Sequence, residues 1–224
     1  MMVYLLPILA VVFGFCFVAL FNPTNQKNLR LLLAFSGAFL LSITVFELIP
    51  SIYDGSNVKT AGLFIMLGIL LQIFLEFFSK GAEHGHVHVH HNENIFPWVL
   101  FISLSVHAVL EGFPLIENDN LLYGIIIHKV PIAVILTSFF FASNLSNVKT
   151  IIFLILFALM TPFGSYLSEK TSFFTNYETE ITALVIGILL HISTTILFES
   201  DKGHKFNITK LLVIIAAIAI AYFL

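Results

Sequence analysis

The centre of the chain, residues 105–136, reads SVHAVLEGFPLIENDNLLYGIIIHKVPIAVIL. Two apolar segments flank one short polar connection, ENDN at residues 117–120, and both segments carry ionisable side chains. About 20 apolar residues are enough for a helix to span the hydrocarbon core of a bilayer. We therefore predict two membrane-spanning helices joined by a tight turn, with charged groups inside the membrane.

The composition of the whole chain agrees with this interpretation. Of the 224 residues, 58% are hydrophobic and only 10% are charged, whereas a soluble domain has about 45–50% apolar and about 25% charged residues. This indicates a polytopic membrane protein and excludes a disordered chain and an ordinary cytosolic enzyme. The net charge of −3 provides no field for polyanions, so we expect no nucleic-acid partner. The single cysteine, Cys16, excludes an internal disulfide and a cysteine-based zinc site.

Seven polar interruptions divide the chain into eight predicted helices. We place them near residues 3–21, 29–50, 59–79, 96–116, 121–142, 148–167, 180–199 and 207–224. The first apolar run has no Lys or Arg before it, so we interpret it as a membrane span rather than a cleaved signal. The prediction is an all-α polytopic membrane protein with a single transmembrane domain over residues 1–224.

The basic residues predict an orientation in the membrane. Seven of the ten lie in the connections 1–2, 3–4, 5–6 and 7–8 or at their edges: Lys27, Arg30, Lys80, Lys149, Lys202, Lys205 and Lys210. Two, Lys59 and Lys170, lie on the other side. Because basic residues favour cytoplasmic connections, we expect both termini outside and the loop 80–95 in the cytoplasm. In a bacterium this would be the inner membrane.

The order of the helices allows an internal symmetry. The fourth and fifth helices form a central pair, surrounded by two three-helix groups, helices 1–3 and 6–8. Such triplets would have opposite orientations, as in inverted-repeat transporters. No sequence identity between the triplets supports the repeat, so it stays a hypothesis.

Three ionisable side chains of the central pair have the chemistry of a metal site. His107 and Glu111 are four residues apart and share one helix face, and His128 lies in the next helix. Charged groups in hydrocarbon are costly and usually functional. Two imidazoles and a carboxylate suit a divalent transition metal such as zinc. We predict these three residues as metal ligands; the alternative is a hydrogen-bond cluster between helices.

Two further ionisable residues are predicted to line a transport pathway. Lys129 follows His128 within the fifth helix, and Glu47 lies near the outer end of the second. The alternatives are that Lys129 snorkels or pairs with Glu111, and that Glu47 is an interfacial carboxylate.

A polar stripe is predicted on the seventh helix. His191, Thr195 and Glu199 follow one another at steps of four residues, which places them on one helix face. We predict that they continue the pathway toward the cytoplasm. The alternatives are a histidine satisfied within the bundle and, for Glu199, an interfacial carboxylate. We also predict that Glu76, near the end of the third helix, is interfacial.

The loop between the third and fourth helices contains HGHVHVHH at residues 84–91. Its histidines are His84, His86, His88, His90 and His91. Histidine-rich tracts bind metals, and neutral imidazole is a competent ligand near neutral pH. We predict loose metal binding on the cytoplasmic side; the alternative is a solvated linker.

Taken together, these residues resemble the ZIP (Zrt/Irt-like) family of divalent-metal transporters. The specific part of the resemblance covers about residues 105–133. Members of the family carry H-x-x-x-[ED]-G in the fourth helix, which HAVLEG at residues 107–112 matches. They carry a histidine or related ligand shortly before a proline in the fifth helix, which HKVP at residues 128–131 matches. The eight helices and the histidine-rich loop also follow the family pattern.

The resemblance implies a metal path between the fourth and fifth helices and often a homodimer. The family site is often binuclear, with His107, Glu111 and His128 at the first metal position. At three second-metal positions this chain has Ala108, Lys129 and Ile132 where many members have ligands. We therefore hypothesise a mononuclear site in which the Lys129 ammonium takes the place of a second cation. A metal-bound structure with two ions bridged by Glu111 would contradict this.

The expected function is transport of divalent metal ions into the cytoplasm by alternating access, with zinc as the first candidate and iron or manganese as others. The bilayer and the ion would be the partners; the metal is substrate rather than cofactor, and no enzymatic activity is expected. One alternative is an intramembrane metal-dependent hydrolase, although the chain has no H-E-x-x-H sequence. Another is a metal sensor that uses only the histidine loop.

Overall fold

The fold is that of an all-α, multi-pass membrane protein, as predicted. The computed structural model describes residues 1–21, 26–53, 57–79, 95–143, 145–199 and 208–224. Within these ranges the secondary structure is helical and no β-strand occurs. Long apolar helices are the form expected here, because a helix satisfies its own backbone hydrogen bonds within hydrocarbon.

Eight main helices, α1 to α8, occupy the described ranges and correspond to the eight predicted segments. Their bounds are α1 Met2–Phe21, α2 Gln26–Ile43, α3 Val58–Ser79, α4 Trp98–Gly112, α5 Asp119–Ala142, α6 Asn147–Lys170, α7 Glu178–Glu199 and α8 Ile208–Tyr222. Two of them have extensions: α2 continues through a π-helical turn, Thr44–Leu48, into Ile49–Tyr53, and α4 tightens into a 3-10 turn, Phe113–Ile116. A short helix, Ser172–Asn176, lies between α6 and α7.

Seven of the described helices are long and apolar enough to cross a membrane. Both α4 and α8 have 15 residues, which corresponds to about 22 Å, whereas a hydrocarbon core is about 30 Å thick. With its 3-10 turn, α4 extends to 19 residues, Trp98–Ile116, while α8 has no such extension in the described ranges. The prediction of eight helices is confirmed, and α8 is the one whose length falls below that of a full span.

The helices pack as two groups of four. In group A, α1 packs on α5 and α6, and α6 also packs on α4 and α5. In group B, α7 packs on α2 and α3, and α8 packs on α2. The groups meet where α2 contacts α5 and where α3 contacts α4. Each predicted triplet is therefore divided between the two groups.

Within each group, the pairing of helices follows the relation that an inverted repeat requires. Suppose that α1, α2 and α3 correspond to α6, α7 and α8, and α4 to α5. The α1–α5 contact then corresponds to the α6–α4 contact, and the α3–α7 contact to the α8–α2 contact; all four pairs pack closely. Between the groups, the α2–α5 and α3–α4 contacts have no counterparts of similar extent in α7–α4 and α8–α5, so the inverted repeat stays a hypothesis.

Small residues allow the closest crossings in both groups. A Cβ atom added at Gly112 would overlap the Thr161 carbonyl oxygen across the α4–α6 crossing. One added at Gly68 would overlap the Leu184 carbonyl oxygen across the α3–α7 crossing. Without a hydrophobic effect between helices in lipid, such close backbone packing is a main source of helix association.

Successive helices run in alternating directions, so that both chain termini lie at one end of the bundle, which we call the terminal end. There Phe46, late in α2, stacks edge-on against Tyr222, at the end of α8, with ring centroids 5.8 Å apart. Toward the opposite end, Phe15 in the second half of α1 packs edge-on against Phe141 in the last turn of α5, with ring centroids 6.1 Å apart.

Candidate functional site

The candidate site is built around the carboxylate of Glu111, on α4, whose side chain is only 1% exposed. His107, one turn earlier, places its Nε2 atom 3.3 Å from Glu111 Oε2. The ammonium group of Lys129, on α5, forms an ion pair with Oε1. Thr161, on α6, donates a hydrogen bond to the same Oε1 at 2.7 Å. Three helices of group A thus converge on one buried carboxylate.

Local structure explains how α4 presents these groups. The helix is regular up to Gly112, so residues four apart lie on one face, which brings His107 to Glu111. The absence of a side chain at Gly112 lets α6 approach closely enough for the Thr161 hydroxyl to reach the carboxylate. Ser165, one turn beyond Thr161, donates a hydrogen bond to the Gly112 carbonyl at 2.8 Å and secures the same crossing.

Lys129 is as deeply buried as its partner, with 1% of the residue exposed. Its Nζ atom also lies 4.7 Å from the centre of the Phe157 ring on α6. A buried ammonium needs such compensation, because removing a charge from water is costly, and an aromatic face attracts cations. The pairing with Glu111, which the sequence left as one of two alternatives, is present in the structure.

His128 is also buried, with 2% exposed, and it lies on α5 beside Lys129. Within the described ranges, however, no three His, Cys, Asp or Glu side chains are grouped so that they could hold a metal ion. His107 Nε2 lies beside Glu111 Oε2, and the Lys129 ammonium group pairs with Glu111 Oε1. The predicted ligands His107, Glu111 and His128 therefore do not form a ready-made three-ligand site in this conformation, and their role as ligands stays a prediction.

Glu47, predicted on the pathway, lies in the π-helical turn of α2 and is half-buried. Asn120, at the start of α5, donates a hydrogen bond to Glu47 Oε1 at 3.3 Å. This bond joins the two helix groups at the terminal end. Single-turn π-helical segments inside α-helices often occur at functional sites, and no pattern in the sequence indicated this one.

The structure gives contacts for two of the three polar residues predicted on α7. His191 Nε2 lies 2.6 Å from Oε2 of Glu76 on α3, and the two side chains are 19% and 23% exposed. Thr195 donates its hydroxyl hydrogen to the His191 carbonyl oxygen at 2.8 Å, within its own helix. The side chain of Glu199 lies outside the described part of the chain. The structure therefore joins His191 to Glu76, a residue predicted only as interfacial.

Three carboxylates that sequence reasoning did not select line an open depression at the terminal end. They are Glu117, Glu169 and Glu178.

The histidines of the predicted metal-binding loop lie outside the described residues, so metal binding by that loop stays a prediction. These histidines are His84, His86, His88, His90 and His91.

No protein-family profile matches the chain, and no curated protein matches it in sequence. The resemblance to ZIP transporters therefore depends on the motif residues and the order of helices alone.

Proposed function

We propose that this protein transports divalent transition-metal ions, with zinc as the first candidate, by alternating access through a site between α4 and α5. The observation that supports this most directly is the Glu111 carboxylate, buried in a membrane helix and contacted from two neighbouring helices. Ionisable groups at such depth are expensive and usually mark an ion pathway. The direction proposed is into the cytoplasm.

The proposed ligands supply the chemistry that such an ion needs. His107 and Glu111 present an imidazole nitrogen and a carboxylate oxygen side by side, and His128 would add a second imidazole from α5. Zinc accepts nitrogen and oxygen ligands and is usually four-coordinate, so one water or backbone oxygen would complete the shell. Loading would require His128 to turn toward Glu111 and Lys129 to leave Oε1.

The proposed path runs along the bundle from one end to the other. The distribution of basic residues favours an orientation with the terminal end outside, so the ion would enter near Glu47. It would leave past His191 and Glu76, and then Glu199, toward the histidine-rich loop. Group A, which carries the whole Glu111 network, would move relative to group B between the two access states. The hydrogen bond from Asn120 to Glu47 would break during that movement.

Uptake into proteoliposomes tests the proposal. The purified protein would be reconstituted and offered a panel of zinc, iron, manganese, cobalt, nickel and cadmium, with and without a pH gradient. We expect His107→Ala to abolish uptake because it removes a predicted ligand. Ser105→Ala, two residues away on the same helix, is the matched control and should transport like the wild type. Equal uptake by the wild type and His107→Ala would contradict the proposed site.

The homodimer implied by the resemblance is part of the proposal and stays a prediction. Mass determination of the detergent-solubilised protein at several concentrations tests it. A strictly monomeric protein that still transports metal would remove the dimer from the proposal without affecting the ion site.

A further inference from the structure

The ion pair between Glu111 and Lys129 is almost completely buried. Each side chain is at most 2% exposed, and both belong to helices of group A. Separating such a pair leaves a charge in a medium that solvates it poorly, which is far more costly than breaking a pair at the surface. While no metal ion is bound, a movement of Glu111 therefore carries Lys129 with it.

We propose that Lys129 is a built-in counter-cation that neutralises Glu111 whenever no metal ion is bound, so that the empty site returns across the membrane without another ion. This inference rests on the proposed transport function and adds a statement about the return of the empty site. It predicts a carrier capable of net uptake, rather than one that works only by exchanging one metal ion for another.

The charge of the empty site determines how readily it reorients. An alternating-access carrier completes its cycle only when the empty site reorients. With Lys129 beside it, the empty Glu111 site has a net charge of zero from this pair. Without Lys129 it has an isolated carboxylate, which must be carried through a region of low dielectric or wait for another cation. The ammonium therefore favours reorientation of the empty site.

The Phe157 ring gives the Lys129 ammonium a cation–π contact that remains while the Glu111 carboxylate binds metal. Its ring centre is 4.7 Å from Lys129 Nζ, and the residue is 2% exposed. An incoming dication repels the ammonium, and the negative face of the ring compensates part of the lost attraction to Glu111. Thr161 is placed to retain its hydrogen bond to Oε1 and so keep the carboxylate oriented toward the ion.

The experiment compares two fluxes of radioactive zinc at equal pH on both sides of a proteoliposome. Net uptake is measured into vesicles that contain a chelator, and exchange into vesicles that contain unlabelled zinc. For the wild type we expect net uptake within about threefold of exchange, because the neutral empty site adds no charge barrier to the return step. Wild-type exchange that exceeds net uptake by more than about tenfold would overturn the inference without any variant.

The variant Lys129→Met removes the charge and keeps an unbranched apolar side chain. We expect its ratio of net uptake to exchange to fall by about tenfold or more, because the empty site has lost its internal cation. Lys129→Arg retains the charge and should keep a ratio close to the wild type. An unchanged ratio in Lys129→Met, with both fluxes lowered equally, would show a structural role only and overturn the inference.

The outcomes also separate this inference from the proposed function. Absence of both fluxes for every metal in correctly folded wild-type protein would overturn the transport proposal itself. Robust wild-type flux with an unaltered ratio in the methionine variant would overturn only the role of Lys129. Should Lys129→Met fail to fold, Lys129→Gln removes the same charge and carries the same expectation, and a wild-type exchange flux more than about tenfold above net uptake would still overturn the inference.

Discussion

Two carboxylates of this protein pair with basic side chains across helices, and their surroundings differ sharply. Glu111 is 1% exposed and interacts with His107, Lys129 and Thr161 within group A. Glu76 is 23% exposed and pairs with His191 within group B. Because the cost of an unpaired charge rises steeply with burial, the same chemical contact has very different consequences in the two groups.

From this difference we infer different roles for the two helix groups. Group A carries a complete, deeply buried network whose members come from three adjacent helices. Group B carries a pair whose side chains are partly exposed, toward the end of the bundle opposite the termini. We interpret the Glu111 network as the proposed ion-binding site. We interpret the Glu76–His191 pair either as part of the proposed ion path or as a structural contact between α3 and α7.

The largest effect is expected from Glu111→Gln. This change leaves the Lys129 ammonium buried without its carboxylate, so we expect a loss of about 3–5 kcal/mol in the free energy of unfolding and no metal uptake. Thermal unfolding in detergent and proteoliposome uptake measure the two effects. The matched variant Glu76→Gln should lose at most about 1 kcal/mol. If both variants lost the same free energy of unfolding, burial would not distinguish the Glu111–Lys129 pair from the Glu76–His191 pair.

The next largest effect is expected from Gly112→Ala. The added methyl group would overlap the Thr161 carbonyl oxygen, so α4 and α6 must separate, at a cost of about 1–3 kcal/mol and with loss of uptake. Gly62→Ala is the control, since a Cβ there has no neighbour within 4 Å. Gly68→Ala should destabilise the α3–α7 crossing while leaving the Glu111 network intact. If Gly112→Ala behaved like Gly62→Ala, the close crossing would not be needed.

A smaller effect on uptake, with a similar loss of stability, is expected from Thr161→Val, which removes a hydroxyl at nearly constant volume. Glu111 then loses one hydrogen bond to a charged oxygen, so we expect about 1.5–3 kcal/mol of destabilisation and weaker zinc uptake at low concentration. Thr137→Val removes only a bond to the Ala133 carbonyl within α5 and serves as the control. Isotherms of uptake against zinc concentration distinguish the two variants, and identical isotherms would argue against a positioning role for Thr161.

The smallest effect is expected from His191→Gln. Its pair with Glu76 is partly exposed, so stability should change by at most about 1 kcal/mol. Uptake should fall less than in His107→Ala, because the residue lies on the proposed path but outside the Glu111 network. A complete loss of uptake with normal stability would instead make this pair an essential part of the site.

The fold was largely predictable from the sequence because a bilayer imposes a simple requirement. Apolar segments of about 20 residues between polar connections become helices, and the described structure has a helix for each of the eight predicted segments. The proximity of His107 and Glu111 was equally predictable, since residues four apart share a helix face. Both inferences depend only on local geometry and on the solvent around the chain.

What only the tertiary structure decided concerns contacts between distant segments. Thr161 lies 50 residues from Glu111 in the chain, and Glu76 lies 115 from His191. Their pairing depends on which helices are neighbours and how they are rotated, and in lipid small residues such as Gly112 strongly influence this through close packing. The sequence by itself determined that ionisable groups would be buried in membrane helices; the packing of α4, α5 and α6 decided that Lys129 and Thr161 share the carboxylate of Glu111.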